Sequence, residues 1–241
     1  MKKTIFDRSH PARLRFNWLD SAKIDSEGEL LCLWPTKIYL FQNDFKNCEW
    51  HEKLKEAVLT RANSAENSID SNWKASDLFS WPNPACKQFS EFLNLHVKRR
   101  VNEEFPEEIS QHLSWRMHGW ANHKRGLDWH WYHLHPGSAF SFVYYMSSLA
   151  SAAQDPLAHD FNGDYYGATL EFMDPRGPGP YMVNQPTDSS VECAKFYVPP
   201  TEGLLLIFPS FIWHMVSPMN SNEARISLAG NIFDMKQNRN K

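Results

Sequence analysis

The second half of the chain is built from short runs of strand-forming residues, with turn residues between most of them. The first run is 114–122, and the others are 138–147, 167–173, 192–198, 203–208, 212–217 and 225–233. Several short strands separated by turn signals are typical of an all-β sandwich or barrel. We therefore predict a mainly β fold.

The first half of the chain predicts helices that pack outside this β structure. The first predicted helix has Asn47 as a candidate N-cap and an apolar face at helical spacing, made of Trp50, Leu54, Val58 and Leu59. The second starts near Pro82 and Pro84, and its apolar face comprises Phe89, Phe92, Leu93, His96 and Val97. The basic run Lys98-Arg99-Arg100 is expected to be its solvated C-terminal end.

The predicted organisation is that of one domain, because no repeat and no linker divides the chain. Pro35 interrupts a strand-like stretch at 29–41 and predicts an edge strand, since proline has no N–H to donate. The polar residues 1–28 predict an irregular arm. The domain would span 1–241, with the arm, edge strand and supporting helices in 1–112 and the β core in 113–235.

Charge and cysteine usage exclude several classes of function. The net charge is −3 and no basic stripe is present, so nucleic-acid binding is not predicted. The opening residues carry positive charge but no apolar run follows, which predicts neither a signal peptide nor a membrane helix. The cysteines are widely spaced and form no C-x-x-C pair: Cys32, Cys48, Cys86 and Cys193. This pattern fits free thiols in a reducing, cytoplasmic compartment.

A paired-histidine motif lies in the stretch 129–136, just before the strand-like run that starts at 138. In an extended chain His133 and His135 point to the same side, so their imidazoles can chelate one divalent metal. His130 is an odd number of residues from both and is expected to point to the opposite face. Pro136 predicts a turn just after the second histidine.

A third metal ligand must come from elsewhere, and His214 at the end of a later apolar run is the candidate. A structural zinc site would need a fourth ligand, and none stands out. Three protein ligands on one face leave positions open for a bidentate co-substrate and dioxygen, as in non-haem Fe(II) oxygenases. The alternative is that these histidines are ordinary surface or structural residues.

A co-substrate such as 2-oxoglutarate also needs a cation for its distal carboxylate. Arg225 lies on the strand-like run after His214, and a guanidinium matches a carboxylate in a bidentate way. Ser227 is two residues further on and shares the face of Arg225. Tyr144 or Tyr145 is a candidate phenol donor to the same carboxylate.

From Trp115 to Phe233 the chain resembles the Fe(II)/2-oxoglutarate-dependent oxygenase superfamily. More narrowly, it resembles a bacterial and phage family of 2-oxoglutarate–Fe(II) oxygenases with a His-X-His-Pro motif. The matching segments are His133-Leu134-His135-Pro136, Ser141–Tyr145, Gly167–Arg176, Gly203–Phe208, Pro209-Ser210, His214 and Arg225-Ile226-Ser227, and Leu33–Thr36 resembles the family's opening. The resemblance implies a double-stranded β-helix (jelly roll), with Fe(II), 2-oxoglutarate and O2 as cofactor and co-substrates. It implies hydroxylation of an unactivated C–H bond in a small-molecule or peptidyl substrate.

Two residues depart from the superfamily pattern. His135 stands where the superfamily has a carboxylate ligand, so a three-histidine site is one reading. In the other reading His135 turns away, and water or a carboxylate such as Asp128 or Asp174 supplies the third position. Phe142 replaces the usual glycine and is expected to add bulk beside the pocket.

Two alternative functions remain at this point: a cupin-like three-histidine enzyme that does not use 2-oxoglutarate, and a non-catalytic ligand-binding jelly-roll module. The segments 149–166 and 175–190 are rich in loop-forming residues and predict either substrate-gating loops or plain surface loops. The expected partners are a substrate and a second copy of the chain in a homodimer, with neither nucleic acid nor membrane.

Overall fold

The computed structural model describes residues 36–63, 77–125, 129–148, 169–176, 195–218 and 223–237. These residues belong to one unit, Thr36–Lys241. The predicted arm, most of the stretch 29–41 and nearly all of the two predicted loops lie outside the described residues.

The described residues form nine strands and three α-helices in an order that follows the predicted runs closely. The strands are β1 Tyr39–Gln42, β2 Leu113–Lys124, β3 His130–His133, β4 Ser138–Tyr145, β5 Leu170–Met173, β6 Lys195–Val198, β7 Leu204–Pro209, β8 His214–Val216 and β9 Arg225–Gln237. The helices are α1 Glu49–Asn63, α2 Pro84–Glu104 and α3 Glu107–Ser110.

The strands form two sheets whose pairs are all antiparallel. The larger sheet has the order β1-β7-β4-β9-β2, and the smaller one has the order β3-β8-β5-β6. Successive side chains of a strand point to opposite faces, so β4 divides its residues between two cores. Phe142 and Tyr144 belong to the core shared with the helices, whereas Tyr145 belongs to the second core, together with Leu170 and Phe208. The prediction of a jelly roll with flanking helices is confirmed.

Helices α1 and α2 share one hydrophobic core with one face of the larger sheet. Leu54 and Val58 of α1 and Phe89 and Leu93 of α2 are fully buried in that core. The start of α2 is well defined, because the Asn83 side chain accepts a hydrogen bond from the backbone N–H of Ala85 and a proline follows the cap. Among the described residues, no helix is both long and apolar enough to cross a membrane.

Two predictions about helix ends are wrong. Asn47 does not cap α1, because it ends a short 3-10 turn and its amide donates to Asp44. Arg100 is not solvated, since only 2% of it is exposed. Its guanidinium donates to Glu104 at 2.8 Å and lies over the ring of Phe140. A salt bridge and a cation–π contact therefore hold a charge inside the helix layer.

The ring of Phe142 fills space on the helix side of the larger sheet. It packs against Phe79 and Phe89, and Phe142 is directly opposite Gly230, which is opposite Gly119. A Cβ on Gly230 would lie 2.5 Å from Phe142 Cε1, so this glycine leaves room for the ring. The ring thus packs in the core shared with the helices, but Phe142 is also one of the residues that line the cavity described in the next subsection, so the expected effect of its bulk on the pocket stays a prediction.

Candidate active site

A cavity of about 290 Å³ is lined by residues of both sheets. Strands β2, β3, β4, β5, β7, β8 and β9 all contribute to it. Its lining residues are Trp120, Asn122, His130, His133, His135, Ser141, Phe142, Val143, Tyr145, Leu170, Phe208, His214, Val216, Arg225, Ser227, Ala229 and Gly230.

Strand pairing and a tight turn bring the three predicted ligands together. His133 ends β3 and is directly opposite His214, the first residue of β8. His135 lies just beyond the strand, and its backbone N–H donates to the Ser210 carbonyl at 3.0 Å. The chain then turns at Pro136-Gly137, as predicted, and Gly137 has a φ of 80°, which a residue without a Cβ adopts readily.

The three imidazoles of His133, His135 and His214 form a cluster in which each residue offers a ring nitrogen within 4.8 Å of the others. Nε2 of His135 is 3.3 Å from Nε2 of His214. Nδ1 of His133 is 2.6 Å from the Trp131 carbonyl, and Nδ1 of His214 is 2.9 Å from the Ile212 carbonyl. A carbonyl only accepts, so each Nδ1 carries the hydrogen and each Nε2 has its lone pair available.

Burial favours the uncharged imidazole of His214, which is 3% exposed. Burial lowers the pKa of His214 to about 3, and the nearby His133, His135 and His130 lower it further, while the bond to the Ile212 carbonyl opposes the shift. A neutral imidazole is the form that binds a metal ion.

A chain of hydrogen bonds beneath the cluster was not predicted from the sequence. Ser141 Oγ is 2.8 Å from Ser210 Oγ and donates to Asn231 Oδ1 at 3.0 Å. Both serines are buried, and Ser210 also holds the backbone of His135 through its carbonyl. The network therefore connects β4 and β9 to the position of His135. The matching Ser141 and Pro209-Ser210 segments were the available sequence signal.

His130 lines the cavity, so the prediction that it points away is wrong. The pairing of β3 with β8 shifts register between His130 and His133, and this irregularity interrupts the alternation on which the prediction depended. The centroids of the His130 and His133 rings are 6.2 Å apart. The cavity thus contains a fourth imidazole.

The predicted carboxylate-binding residues Arg225, Ser227 and Tyr145 also line the cavity. Ser227 is directly opposite Tyr145 on β4, and the side chain of Arg225 is buried. Burial raises the pKa of Tyr145 to about 12, although the charge of Arg225 opposes this, so the phenol keeps its proton and can donate it in a hydrogen bond.

Tyr144 is not part of this group, because alternation turns it towards the helices. Its hydroxyl is 2.7 Å from His51 Nδ1 and accepts from Asn43 Nδ2 at 3.1 Å. Burial raises the pKa of Tyr144 as well. The two tyrosines therefore lie on opposite faces of β4, and of the two only Tyr145 lines the cavity.

Asp174 is not a candidate third ligand. Its carboxylate accepts hydrogen bonds from the backbone and guanidinium of Arg176, and it is not among the cavity-lining residues. Asp128, the other carboxylate considered, lies outside the described residues. Among the residues that the structure describes, only the three imidazoles form a metal-binding group in this cavity.

The donor set fits a divalent first-row metal. Three neutral nitrogen donors on one side of a cavity suit iron, and they leave open positions for oxygen ligands. A buried arginine, a serine hydroxyl and a tyrosine hydroxyl suit a carboxylate. The fold is that of a jelly-roll protein, and the side chains of its cavity suit one metal ion and a carboxylate-bearing ligand.

Comparison with known families gives the same class. Residues 118–231, just under half of the chain, match the sequence model of the family described as "Putative 2OG-Fe(II) oxygenase". This match confirms the resemblance to the Fe(II)- and 2-oxoglutarate-dependent oxygenases that the sequence predicted. The chain is therefore an enzyme, a dioxygenase that uses Fe(II), 2-oxoglutarate and O2. No curated protein matches the chain significantly.

Solved structures share the fold at low sequence identity. A prolyl-4-hydroxylase from Pseudomonas putida is 18% identical with a TM-score of 0.51, and the alignment covers 85% of this chain and 89% of that chain. A prolyl hydroxylase from Trichoplax adhaerens, in complex with a hypoxia inducible factor peptide fragment, is 13% identical with a TM-score of 0.50. That alignment covers 83% of this chain and 84% of the other.

Proposed function

We propose that His133, His135 and His214 hold the iron of a hydroxylase, and that Arg225, Ser227 and Tyr145 hold the distal carboxylate of 2-oxoglutarate. The observation that carries the proposal is the cluster of three imidazoles whose ligand atoms lie within 4.8 Å of one another. The Nδ1 contacts of His133 and His214 support it, because they leave Nε2 as the metal-binding atom.

The residues of the chain would act by orientation and charge. Arg225 would neutralise the distal carboxylate, and Ser227 and Tyr145 would donate hydrogen bonds to it, so that the keto end is directed to the metal. With Fe(II) bound, the metal supplies the oxidation of a substrate C–H bond by O2, coupled to conversion of 2-oxoglutarate to succinate and CO2. Leu170, Phe208 and Val216 would keep bulk water from the reacting atoms.

The substrate that we propose is a small molecule or a peptidyl side chain. The Trichoplax adhaerens protein is described with a peptide fragment, and the exposed Trp129, Trp131 and Trp213 flank the ligand-bearing segments of this chain in sequence. Indole rings contribute large, rigid contact areas to binding surfaces. A screen of peptides and small metabolites for substrate-stimulated succinate formation tests this part of the proposal.

We further propose a reducing, cytoplasmic setting. Cys48 and Cys86 are free thiols. Burial raises the pKa of Cys86 to about 11, so it carries little reactive thiolate.

Anaerobic titration with Fe(II) tests the proposed ligands. The wild-type protein should bind about one iron per chain, because one cluster of this kind holds a single ion. His133→Ala and His214→Ala should each lose most of that affinity, whereas His112→Ala, outside the cavity, should not. Unchanged iron binding in both cluster variants would refute the assignment.

Succinate formation separates the proposal from its alternatives. A three-histidine enzyme that does not use 2-oxoglutarate would bind iron but form no succinate. A non-catalytic module would bind no more iron and form no more succinate than the His214→Ala variant. The three-histidine alternative is considered because His135 stands where the superfamily has a carboxylate ligand.

A further inference from the structure

Six polar side chains that line the cavity, besides Ser141 and the three proposed metal ligands, share a chemical property. Each of Trp120, Asn122, His130, Tyr145, Arg225 and Ser227 can donate a hydrogen bond. Among the residues that the structure describes, no carboxylate, which can only accept hydrogen bonds, lines the cavity. A ligand rich in acceptor atoms, such as an anion, complements this set.

The metal-binding set adds to that preference, and here the inference rests on the proposed function. Neutral imidazoles at His133, His135 and His214 bring no negative charge, whereas the usual superfamily set includes one carboxylate. A bound 2-oxoglutarate offsets part of the ion's charge, so the centre keeps about one net positive charge. In a cavity of low dielectric constant such a charge attracts an anion strongly.

Two of the donors are well placed for a ligand other than 2-oxoglutarate. Asn122 is on β2, the edge strand of the larger sheet, and it is directly opposite Ser227. His130 is on β3, the edge strand of the smaller sheet, and it is directly opposite Val216. Asn122 and His130 therefore reach the cavity from different sheets, beside the residues proposed to hold the co-substrate and the metal.

We infer that the prime substrate carries an anionic group, a carboxylate, that binds beside the metal centre between Asn122 and His130. The amide of Asn122 and the ring N–H of His130 donate to it, and the excess positive charge of the three-histidine centre holds it. The substrate class is thereby narrowed to carboxylate-bearing small molecules or acidic peptides.

Calorimetric titration of the anaerobic Fe(II)·2-oxoglutarate protein with sodium acetate and with acetamide tests the inference. Both probes have the same shape, but only acetate is charged. We expect acetate to bind roughly tenfold or more tightly than acetamide. Asn122→Asp should weaken acetate binding by roughly tenfold or more, because it places a like charge beside the anion. His135→Asp should weaken it too, because it removes the excess charge.

Asn94→Asp is the matched control. Asn94 is exposed on α2, where its side-chain oxygen accepts from the Trp115 indole, so this variant adds the same charge away from the cavity. Acetate affinity should be unchanged in it. Asp128→Asn tests whether a carboxylate outside the described residues already supplies the negative charge, and we expect it to leave acetate affinity as in wild type.

The outcomes distinguish a failure of the inferred substrate carboxylate from a failure of the proposed function. Iron and 2-oxoglutarate binding with equal affinities for acetate and acetamide would overturn the inference and leave the proposed function standing. Acetate binding that appears only in Asp128→Asn would overturn it as well. A wild-type protein that does not bind iron or 2-oxoglutarate would overturn the proposed function, and the inference with it.

Discussion

At the scale of single residues, Arg225 is the most direct test of co-substrate binding. Arg225→Met keeps much of the side-chain volume and removes the charge, so 2-oxoglutarate affinity should fall roughly tenfold or more while iron stays bound. Arg116→Met removes an exposed cation from β2 and serves as the control. Equilibrium titration of the iron-loaded protein with 2-oxoglutarate measures the effect. An unaltered dissociation constant in Arg225→Met would exclude Arg225 from the site.

The neighbouring tyrosines form a matched pair, since each substitution by phenylalanine removes one hydroxyl from a buried side chain of β4. Tyr145→Phe should weaken 2-oxoglutarate roughly threefold to tenfold, the worth of one hydrogen bond. Tyr144→Phe should leave that affinity unchanged and lower the free energy of unfolding by about 1–3 kcal/mol, because His51 and Asn43 lose a buried partner. Reversed effects in binding and denaturation experiments would contradict the assignment.

The alternation of side chains along a strand predicted which residues of the site share a face, but not every position. Residues two apart share a face, which placed His133 with His135 and Arg225 with Ser227. Alternation says nothing about which face is the inner one, so Tyr144 and Tyr145 could not be separated from the sequence. It also fails across an irregular pairing, which is why His130 was misplaced.

At the scale of secondary-structure elements, two glycines test the packing of the larger sheet. A Cβ on Gly230 would overlap the backbone oxygen of His118, whereas a Cβ on Gly119 would lie 3.1 Å from the nearest ring atom of Phe79. A side chain can shift more easily than paired backbone. Gly230→Ala should therefore lower the free energy of unfolding by roughly 2 kcal/mol or more, and Gly119→Ala by clearly less. Equal losses in chemical denaturation would contradict this account.

Most of the strands were predictable, because they coincide with hydrophobic runs bounded by turn residues. Strand β3 has no such run, since its residues are His130-Trp131-Tyr132-His133. The other exceptions involve residues whose packing depends on partners distant in sequence. Arg100 was expected to be solvated at the end of α2, but its donors reach Glu104 and the Lys37 carbonyl. The packing of Phe142 on the helix side was not predictable either, because it depends on Gly119 and Gly230, which come from other strands.

At the scale of the whole molecule, a buried histidine predicts loss of stability in acid. Burial lowers the pKa of His96 to about 4, helped by the charge of Arg99, and the ring lies against Phe41 and bonds to the Tyr39 hydroxyl. Below its ordinary pKa of 6.5 the unfolded state takes up the proton and the folded state does not. Stability present above pH 6.5 should fall as the pH decreases to about 4.

The matched variants for this effect are His96→Gln and His112→Gln. Each unit of pKa shift corresponds to about 1.4 kcal/mol, so the acid loss attributable to His96 is roughly 3 kcal/mol. Denaturation midpoints should be measured from pH 6.5 down to about pH 4. The midpoint should fall less steeply with decreasing pH in His96→Gln than in His112→Gln. Parallel declines in the two variants would assign the acid sensitivity elsewhere.

Gating by the segment 149–166 stays a prediction at this scale, because the segment lies outside the described residues. Hydrogen exchange there should slow when 2-oxoglutarate and substrate are added together. Slow exchange without ligands would indicate a fixed loop.

The central claim is that three histidines hold iron in a cavity that also holds 2-oxoglutarate. The most direct measurement is the anaerobic absorption spectrum of the Fe(II) protein during titration with 2-oxoglutarate, because a charge-transfer band forms only when both occupy one site. We predict such a band in wild type, its loss in His214→Ala, and a shifted band in His135→Asp, since a carboxylate changes the charge at the metal. An iron-loaded wild-type protein without the band would contradict the claim, and an identical band in His135→Asp would place His135 outside the coordination sphere.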